Sequence, residues 1–286
     1  MQTMKPLLLI DFSQIVYQDF LMQLYAIGKE GDKKALRSFV TERVVKFKNQ
    51  FSIDENKNVV VCIDSKNYWR KDIFPHYKQN RTPQANINIE LYFDHVKEVL
   101  EEMEQELPFT FLKIDRCEAD DIIAVLCFRL ANIYNITIVS TDRDYLQLQK
   151  HSKVKQYDQV RKKYISIDNE KYCLFDHIVR AGDDGIPNIL SDADTFVNPE
   201  KRQTALKEKV LTEWRVHGLE HPEKFCDKKM YERFNQNKNL IDMTMIPSEY
   251  FEKIYDAFID YKPSRGTIYK FCVKYQITNV LKNNQI

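Results

Sequence analysis

Residues 7–11 read Leu7-Leu8-Leu9-Ile10-Asp11: four large apolar side chains in a row, closed by a carboxylate. An unbroken apolar run of this length, without polar alternation, marks a strand covered on both faces. The pattern recurs three times. Val59-Val60-Val61-Cys62-Ile63 ends on Asp64. Thr110-Phe111-Leu112-Lys113-Ile114 ends on Asp115 and leads to Glu118, Asp120 and Asp121. Ile136-Thr137-Ile138-Val139-Ser140 leads to Asp142 and Asp144. Between these runs the apolar spacing is helical. Leu36, Phe39, Val40, Val44 and Phe47 share one face over 34–50, and Leu91, Val96, Val99, Leu100 and Met103 do so over 90–104. Residues 119–133 are apolar almost throughout. Strands alternating with helices predict an α/β fold with a central, mostly parallel sheet flanked by helices.

Beyond about residue 180 the pattern turns mainly helical, with turn signals at Gly182–Pro187, Asn198-Pro199, His221-Pro222, Ile246-Pro247 and Lys262-Pro263. Two parts are therefore expected. Residues 1–180 form the α/β domain, with a basic and aromatic segment at 65–90, and residues 181–286 form a smaller C-terminal helical region.

Composition narrows the chemistry. The chain has 286 residues, 43 Lys and Arg against 42 Asp and Glu, and 43% hydrophobic residues, which is a globular balance. Six Gly leave no phosphate-cradling glycine loop, and six His form no HExxH or HxH cluster. The six Cys include no CxxC pair, which argues for free thiols in a reducing cytoplasm and against a zinc ribbon. No apolar run reaches the length of a membrane span, and the opening residues lack the pattern of a secretory signal. Acidic side chains remain as the abundant catalytic group.

In an open parallel sheet, residues just past the strand ends share one edge, and ligands bind there. Asp11, Asp64, Glu118, Asp120, Asp121, Asp142 and Asp144 all fall at such ends. A single Asp after a strand is ordinarily a turn former or a helix N-cap. Asp142 has the position of a cap, Glu118 and Asp121 suit the positive end of a helix dipole, and Asp115 reads as a turn residue. Seven acids on one edge, however, repel one another unless cations join them. Hard Mg²⁺, for which Mn²⁺ can substitute, prefers oxygen ligands and keeps its waters. Two such ions would clamp the attacking and leaving oxygens of a phosphodiester.

Residues 65–85 hold Lys66, Arg70, Lys71, Lys78 and Arg81 against one acid, Asp72, with Tyr68, Trp69, Phe74 and Tyr77 interleaved. Such a segment can track phosphates and stack on bases. Trp69 and Phe74 have the look of core residues, so Lys78 and Arg81 are the stronger functional candidates. Lys262, Arg265 and Lys270 form a third basic patch suited to duplex phosphates.

The motifs LLLIDFSQI (7–15), VVVCIDSKNYWRKDI (59–73), YKQNR (77–81), CEADDIIAVL (117–126), IVSTDRDYLQL (138–148) and YKPSRGTIYKF (261–271) resemble those of the flap endonuclease and 5′-exonuclease family, most of all its phage branch. The resemblance implies a PIN-like 5′-nuclease fold and two Mg²⁺ ions held by the seven acids above. It also implies flapped or nicked duplex DNA and RNA–DNA hybrid as substrates, as in primer removal during phage replication in the host cytoplasm. Tyr77, Lys78 and Arg81 match the family positions that contact the scissile phosphate and the threaded strand. The family's last acidic element reads G-D-x-x-D-N, whereas here it reads Gly182-Asp183-Asp184-Gly185-Ile186-Pro187-Asn188. Asp183 matches the first acid. The second falls on Ile186, unless a two-residue deletion hands its role to Asp184. A monomer is expected, with a single-stranded DNA-binding protein as replication partner by analogy. Six residues before the first strand leave little room for a peptide that docks a sliding clamp. The competing readings are a PIN-type ribonuclease on single-stranded RNA and a non-catalytic binder of DNA structures.

Overall fold

The computed structural model describes residues 4–26, 32–80 and 89–282, with residues 23–26 described by backbone alone. The four apolar runs form β1 (Lys5–Asp11), β2 (Val59–Ile63), β3 (Thr110–Lys113) and β4 (Tyr134–Val139). They lie in one sheet with β5 (Val154–Asp158) and β6 (Lys163–Ile165), in the order β3-β2-β1-β4-β5-β6. All neighbours are parallel except β5 and β6. Chain order reverses between β1 and β4, so the crevice expected of an open sheet opens beyond these two strands. The final residue of β1 in that crevice is Asp11.

The chain divides into two compact units. The first comprises residues up to Lys66, those to Ser166 that follow the 67–82 segment, and Glu249–Ile286. Leu7, Leu8, Leu9 and Ile10 are fully buried there, at about 1.5–3 kcal/mol for each large apolar side chain. One face of the sheet packs against α1 (Phe12–Ala26), α2 (Lys33–Gln50) and α4 (Ile89–Glu106), through Leu36, Val44, Phe47, Tyr92 and Met103. Helix α5 (Ala119–Leu130) packs on β1, β2 and β4, and is buried nearly throughout. The second unit comprises residues 67–82 and 167–248. It gathers α3 (Arg70–Ile73), α6 (Leu174–Arg180), α7 (Glu208–Arg215) and α8 (Lys228–Ile241) around Phe74, Tyr77, Phe175, Ile178, Leu211 and Phe234.

This division corrects the boundary expected near residue 180. The end of the chain, α9 (Ser248–Asp260), α10 (Ile268–Lys274) and α11 (Thr278–Lys282), belongs mostly with the first unit. Ile268, Phe271, Ile277 and Val280 join the core of α2 and α4. Lys274 and Tyr275 both reach Glu106 at the end of α4, at 2.6 and 2.9 Å. Gly266 lies so close to the Glu106 carbonyl that a β-carbon there would sit 1.9 Å from the oxygen. Residues 67–80 of the basic segment belong to the second unit instead, because Phe74 and Tyr77 are part of its core. Among the described residues no helix is long and apolar enough to cross a membrane.

Candidate active site

The strand register decides where the acids meet. Asp11 pairs with Cys62 across β1 and β2, and Ile10 with Val139 across β1 and β4. Asp64 therefore follows β2 two residues beyond the partner of Asp11, and Ser140 follows β4 beside Asp11. Ser140 Oγ donates to Asp11 Oδ2 at 3.1 Å and accepts from the Asp142 amide at 3.1 Å. Ser13 donates to Asp11 Oδ1 at 2.7 Å. Asp64 Oδ1 accepts the Ala119 amide at 2.7 Å, which fixes the start of α5 against the end of β2. Tyr145 then reaches in, donating to Asp120 Oδ1, and its hydroxyl lies 3.4 Å from Asp11 Oδ2.

Electrostatics places the same residues together. Burial, reinforced by the neighbouring Asp64 charge, pushes the Asp11 carboxyl up to about 6. Burial pushes the Tyr145 hydroxyl up as well, and Asp11, Asp120 and Asp142 add to it. The buried Cys62 thiol is raised by burial first, with Asp11, Asp120 and Asp64 contributing. Asp11, Asp64, Asp120 and Asp142, from four separate chain segments, are thus near neighbours at the sheet's switch point.

Several acids also serve the local structure. Glu118 and Asp121 form a reciprocal capping box at the start of α5, the Glu118 amide donating to Asp121 Oδ2 at 2.9 Å. Both are buried. Asp142 caps the 3₁₀ helix that begins at Arg143, accepting the half-buried Asp144's amide at 2.9 Å. Capping aims these carboxylates along helix starts and does not exclude a ligand on their other side. Among the described residues no three acidic, His or Cys side chains already converge on one point as a finished ligand set. What fits a hard divalent ion is the donor chemistry. Every group offered is a carboxylate or hydroxyl oxygen, and Asp11 carries a charge that its buried position disfavours until a cation shares it.

The second unit holds a separate polar cluster. The Lys78 amide donates to the Asp184 carbonyl at 2.7 Å, and Lys78 Nζ lies 3.5 Å from Asp184 Oδ2. Tyr77 donates its hydroxyl to the same oxygen at 3.1 Å. Lys78 Nζ also stands 5.3 Å from the Tyr68 ring centre and 5.2 Å from that of Tyr77. Both Lys78 and Asp184 have left-handed backbones, with φ of 58° and 54°. Gly185 follows at φ +75°, and a β-carbon there would meet the Asn80 side chain at 2.9 Å. Of the two candidate acids, then, Asp184 is the one engaged with Lys78. Asp183 is exposed, 3.8 Å from the His177 ring nitrogen.

Two expectations change. Arg70 is buried, not a surface phosphate contact. Its Nε donates to the Leu240 carbonyl at 2.9 Å, and its guanidinium lies 4.4 Å from the Trp69 ring centre. Tyr77, expected to touch a threaded strand, has its ring in the core and its hydroxyl on the Asp184 carboxylate. Lys66, Lys71, Lys262, Arg265 and Lys270 are exposed, as a phosphate contact requires. Arg81 lies outside the described residues. Sequence reasoning missed Tyr145, Ser13 and Ser140 as partners of the acids, because nothing in a hydroxyl's spacing shows which way it points.

A family model described as the 5′-3′ exonuclease N-terminal resolvase-like domain matches residues 6–174, and one for the C-terminal part of T4 RNase H matches residues 168–284. The chain belongs to the 5′-3′ exonuclease family. Within that family it is similar to the ribonuclease H of Enterobacteria phage T4, at 29% identity covering 93% of this chain and 90% of that protein. It also matches the flap endonuclease Xni of Shewanella pealeana, at 34% identity over 42% of this chain and 48% of that protein. The exonuclease fold is shared with solved structures. A bacteriophage T5 flap endonuclease, in a complex with DNA and metal ions, matches with a TM-score of 0.62 at 15% identity, covering 96% of this chain and all of that one. The T5 protein crystallised with metal ions matches with a TM-score of 0.61 at 15% identity, covering 90% and 99%.

Proposed function

We propose that the chain is a Mg²⁺-dependent 5′-3′ exonuclease and flap endonuclease. It hydrolyses phosphodiesters of flapped or nicked duplex DNA and of RNA–DNA hybrid, and removes primers during phage DNA replication. The observation that carries the reading is the meeting of Asp11, Asp120 and Asp142 around the Tyr145 hydroxyl, with Asp64 beside Asp11, at the switch point of the sheet. Asp11, Asp64, Asp120, Asp142 and Asp144 are the residues that would hold two divalent ions, with Glu118 and Asp121 supporting from the start of α5; Asp184 or Asp183 matches the family's last acid by sequence likeness. The ions, when bound, supply the positive charge that activates water and stabilises the departing oxygen. The carboxylates set the orientation of that charge, and the burial of Asp11 limits its screening by bulk water.

Lys78 is proposed to bind the scissile phosphate. Its present partners, one carboxylate and two aromatic faces, hold the ammonium on a short leash in a half-buried setting. Arg81 serves the same strand by family likeness. Lys66, Lys71, Lys262, Arg265 and Lys270 take backbone phosphates away from the cut.

A flap oligonucleotide labelled at its 5′ end tests the reading. With Mg²⁺ it releases short labelled products, and EDTA stops the release. Cleavage of plain single-stranded RNA in preference to the flap would replace this reading with a PIN-type ribonuclease. Tight flap binding without turnover in Mg²⁺ or Mn²⁺ would replace it with a non-catalytic binder.

A further inference from the structure

Tyr145 is fully buried between two of the carboxylates just assigned. Its hydroxyl donates to Asp120 Oδ1 and lies 3.4 Å from Asp11 Oδ2. Asp11 is already served by other hydroxyls, Ser13 on Oδ1 and Ser140 on Oδ2. A phenol carries one proton and satisfies one acceptor at a time. Asp11 has two other donors and the closer contact is to Asp120, so the proton belongs to Asp120.

The ring has no room to turn away. It sits on the 3₁₀ helix Arg143–Lys150 beside the buried Leu146 and Leu148, and Asp142 pins the first turn of that helix. Packing alone does not call for an oxygen here. A phenylalanine fills the same space, and a buried phenol costs free energy unless it finds a partner. The partner it finds is a carboxylate of the acidic site.

We infer that Tyr145 is a positioning residue of that site: its hydroxyl holds one oxygen of Asp120 and so fixes the orientation in which this carboxylate meets a divalent cation. The inference rests on the metal-dependent reading above. Residues behind a ligand that orient it typically govern metal affinity by about 10–100-fold.

Mn²⁺ binding to the full chain, read from the electron paramagnetic resonance signal of the free ion with no substrate present, tests this. Tyr145→Phe is expected to weaken at least one Mn²⁺ site by about 10-fold. In cleavage assays the loss of rate is recovered by raising the metal concentration. In an Asp120→Ala background the same change has no further effect on Mn²⁺ binding, because the acceptor is gone. A general loss of packing would act equally in both backgrounds. Tyr145→Phe protein that binds Mn²⁺ as tightly as the parent overturns the inference and leaves the metal-dependent reading standing. A parent protein that binds no Mn²⁺ overturns both.

Discussion

The backbone amide of Ala119 donates to the Asp64 carboxylate at 2.7 Å, joining the first residue of α5 to the acid that follows β2. One hydrogen bond thus ties the acidic segment 118–121 to a strand more than fifty residues earlier. Asp120, the next residue, is held from its other side by Tyr145. The site is built from such ties between strand ends, and its behaviour follows from them.

Asp120→Asn keeps the shape of the side chain and removes its charge. It is expected to lower kcat by at least about 100-fold, the scale of losing one group that stabilises developing charge. Flap binding, followed by fluorescence anisotropy, should be largely retained. Unchanged turnover would remove Asp120 from the mechanism.

Asp11 makes the metal-free protein sensitive to pH. Its carboxyl is raised from 3.8 to about 6 in the folded state, so the folded chain holds this proton more tightly than the unfolded chain does. Stability in EDTA should therefore fall as pH rises from about 4 to about 6 and change little above that. The total is on the order of 3 kcal/mol. Asp11→Asn should abolish cleavage and flatten this dependence, leaving the metal-free variant more stable than the parent at pH 7.5. Urea titrations at pH 4.5 and 7.5 measure both slopes.

Lys78→Ala should lose much more in single-turnover rate than in affinity, since one phosphate contact is a small part of a long binding track. Measured on the same flap substrate, an equal loss in both would make Lys78 an ordinary binding residue.

Arg70 and the C-terminal cations separate structure from binding. Arg70→Ala leaves the buried Leu240 carbonyl without its donor and should cost about 1–3 kcal/mol of stability. The salt dependence of DNA binding should stay as it was. Lys262→Ala, Arg265→Ala or Lys270→Ala should do the opposite, each reducing the slope of log K against log salt by about 1 at little cost in stability.

Gly266→Ala tests how closely the C-terminal segment is fitted. The added β-carbon would lie 1.9 Å from a backbone oxygen that has little freedom to move. A loss of about 1–3 kcal/mol is expected, as for other overpacked sites. Thermal unfolding measures it.

The sheet's centre was legible because Leu7–Ile10 and Val59–Ile63 are unbroken apolar runs, and no other environment suits them. The acids were legible for the same reason, each standing just past such a run. The antiparallel pair β5 and β6 was not, because Lys153, Lys155, Lys162 and Lys163 interrupt its apolar pattern at the sheet's edge. Arg70 was misread because sequence shows a charge but not the carbonyl of Leu240, 170 residues away, that accepts from it. The return of residues 249–286 to the first unit rests on equally distant partners, Gly266 and Lys274 against Glu106. Pattern reading sees neighbours in the chain, and these contacts join residues that are not.

Because the first unit draws on three stretches of chain, its final helices are also its last to be synthesised. A ribosome translating this message releases α10 and α11 only after every strand has emerged, and until then the hydrophobic surfaces of α2 and α4 lack their closing layer. The second unit, whose latest residue is Ser248, can be complete before that moment. Stop codons introduced shortly after position 248 would therefore yield chains that carry every acid of the site and still fail to accumulate as native protein.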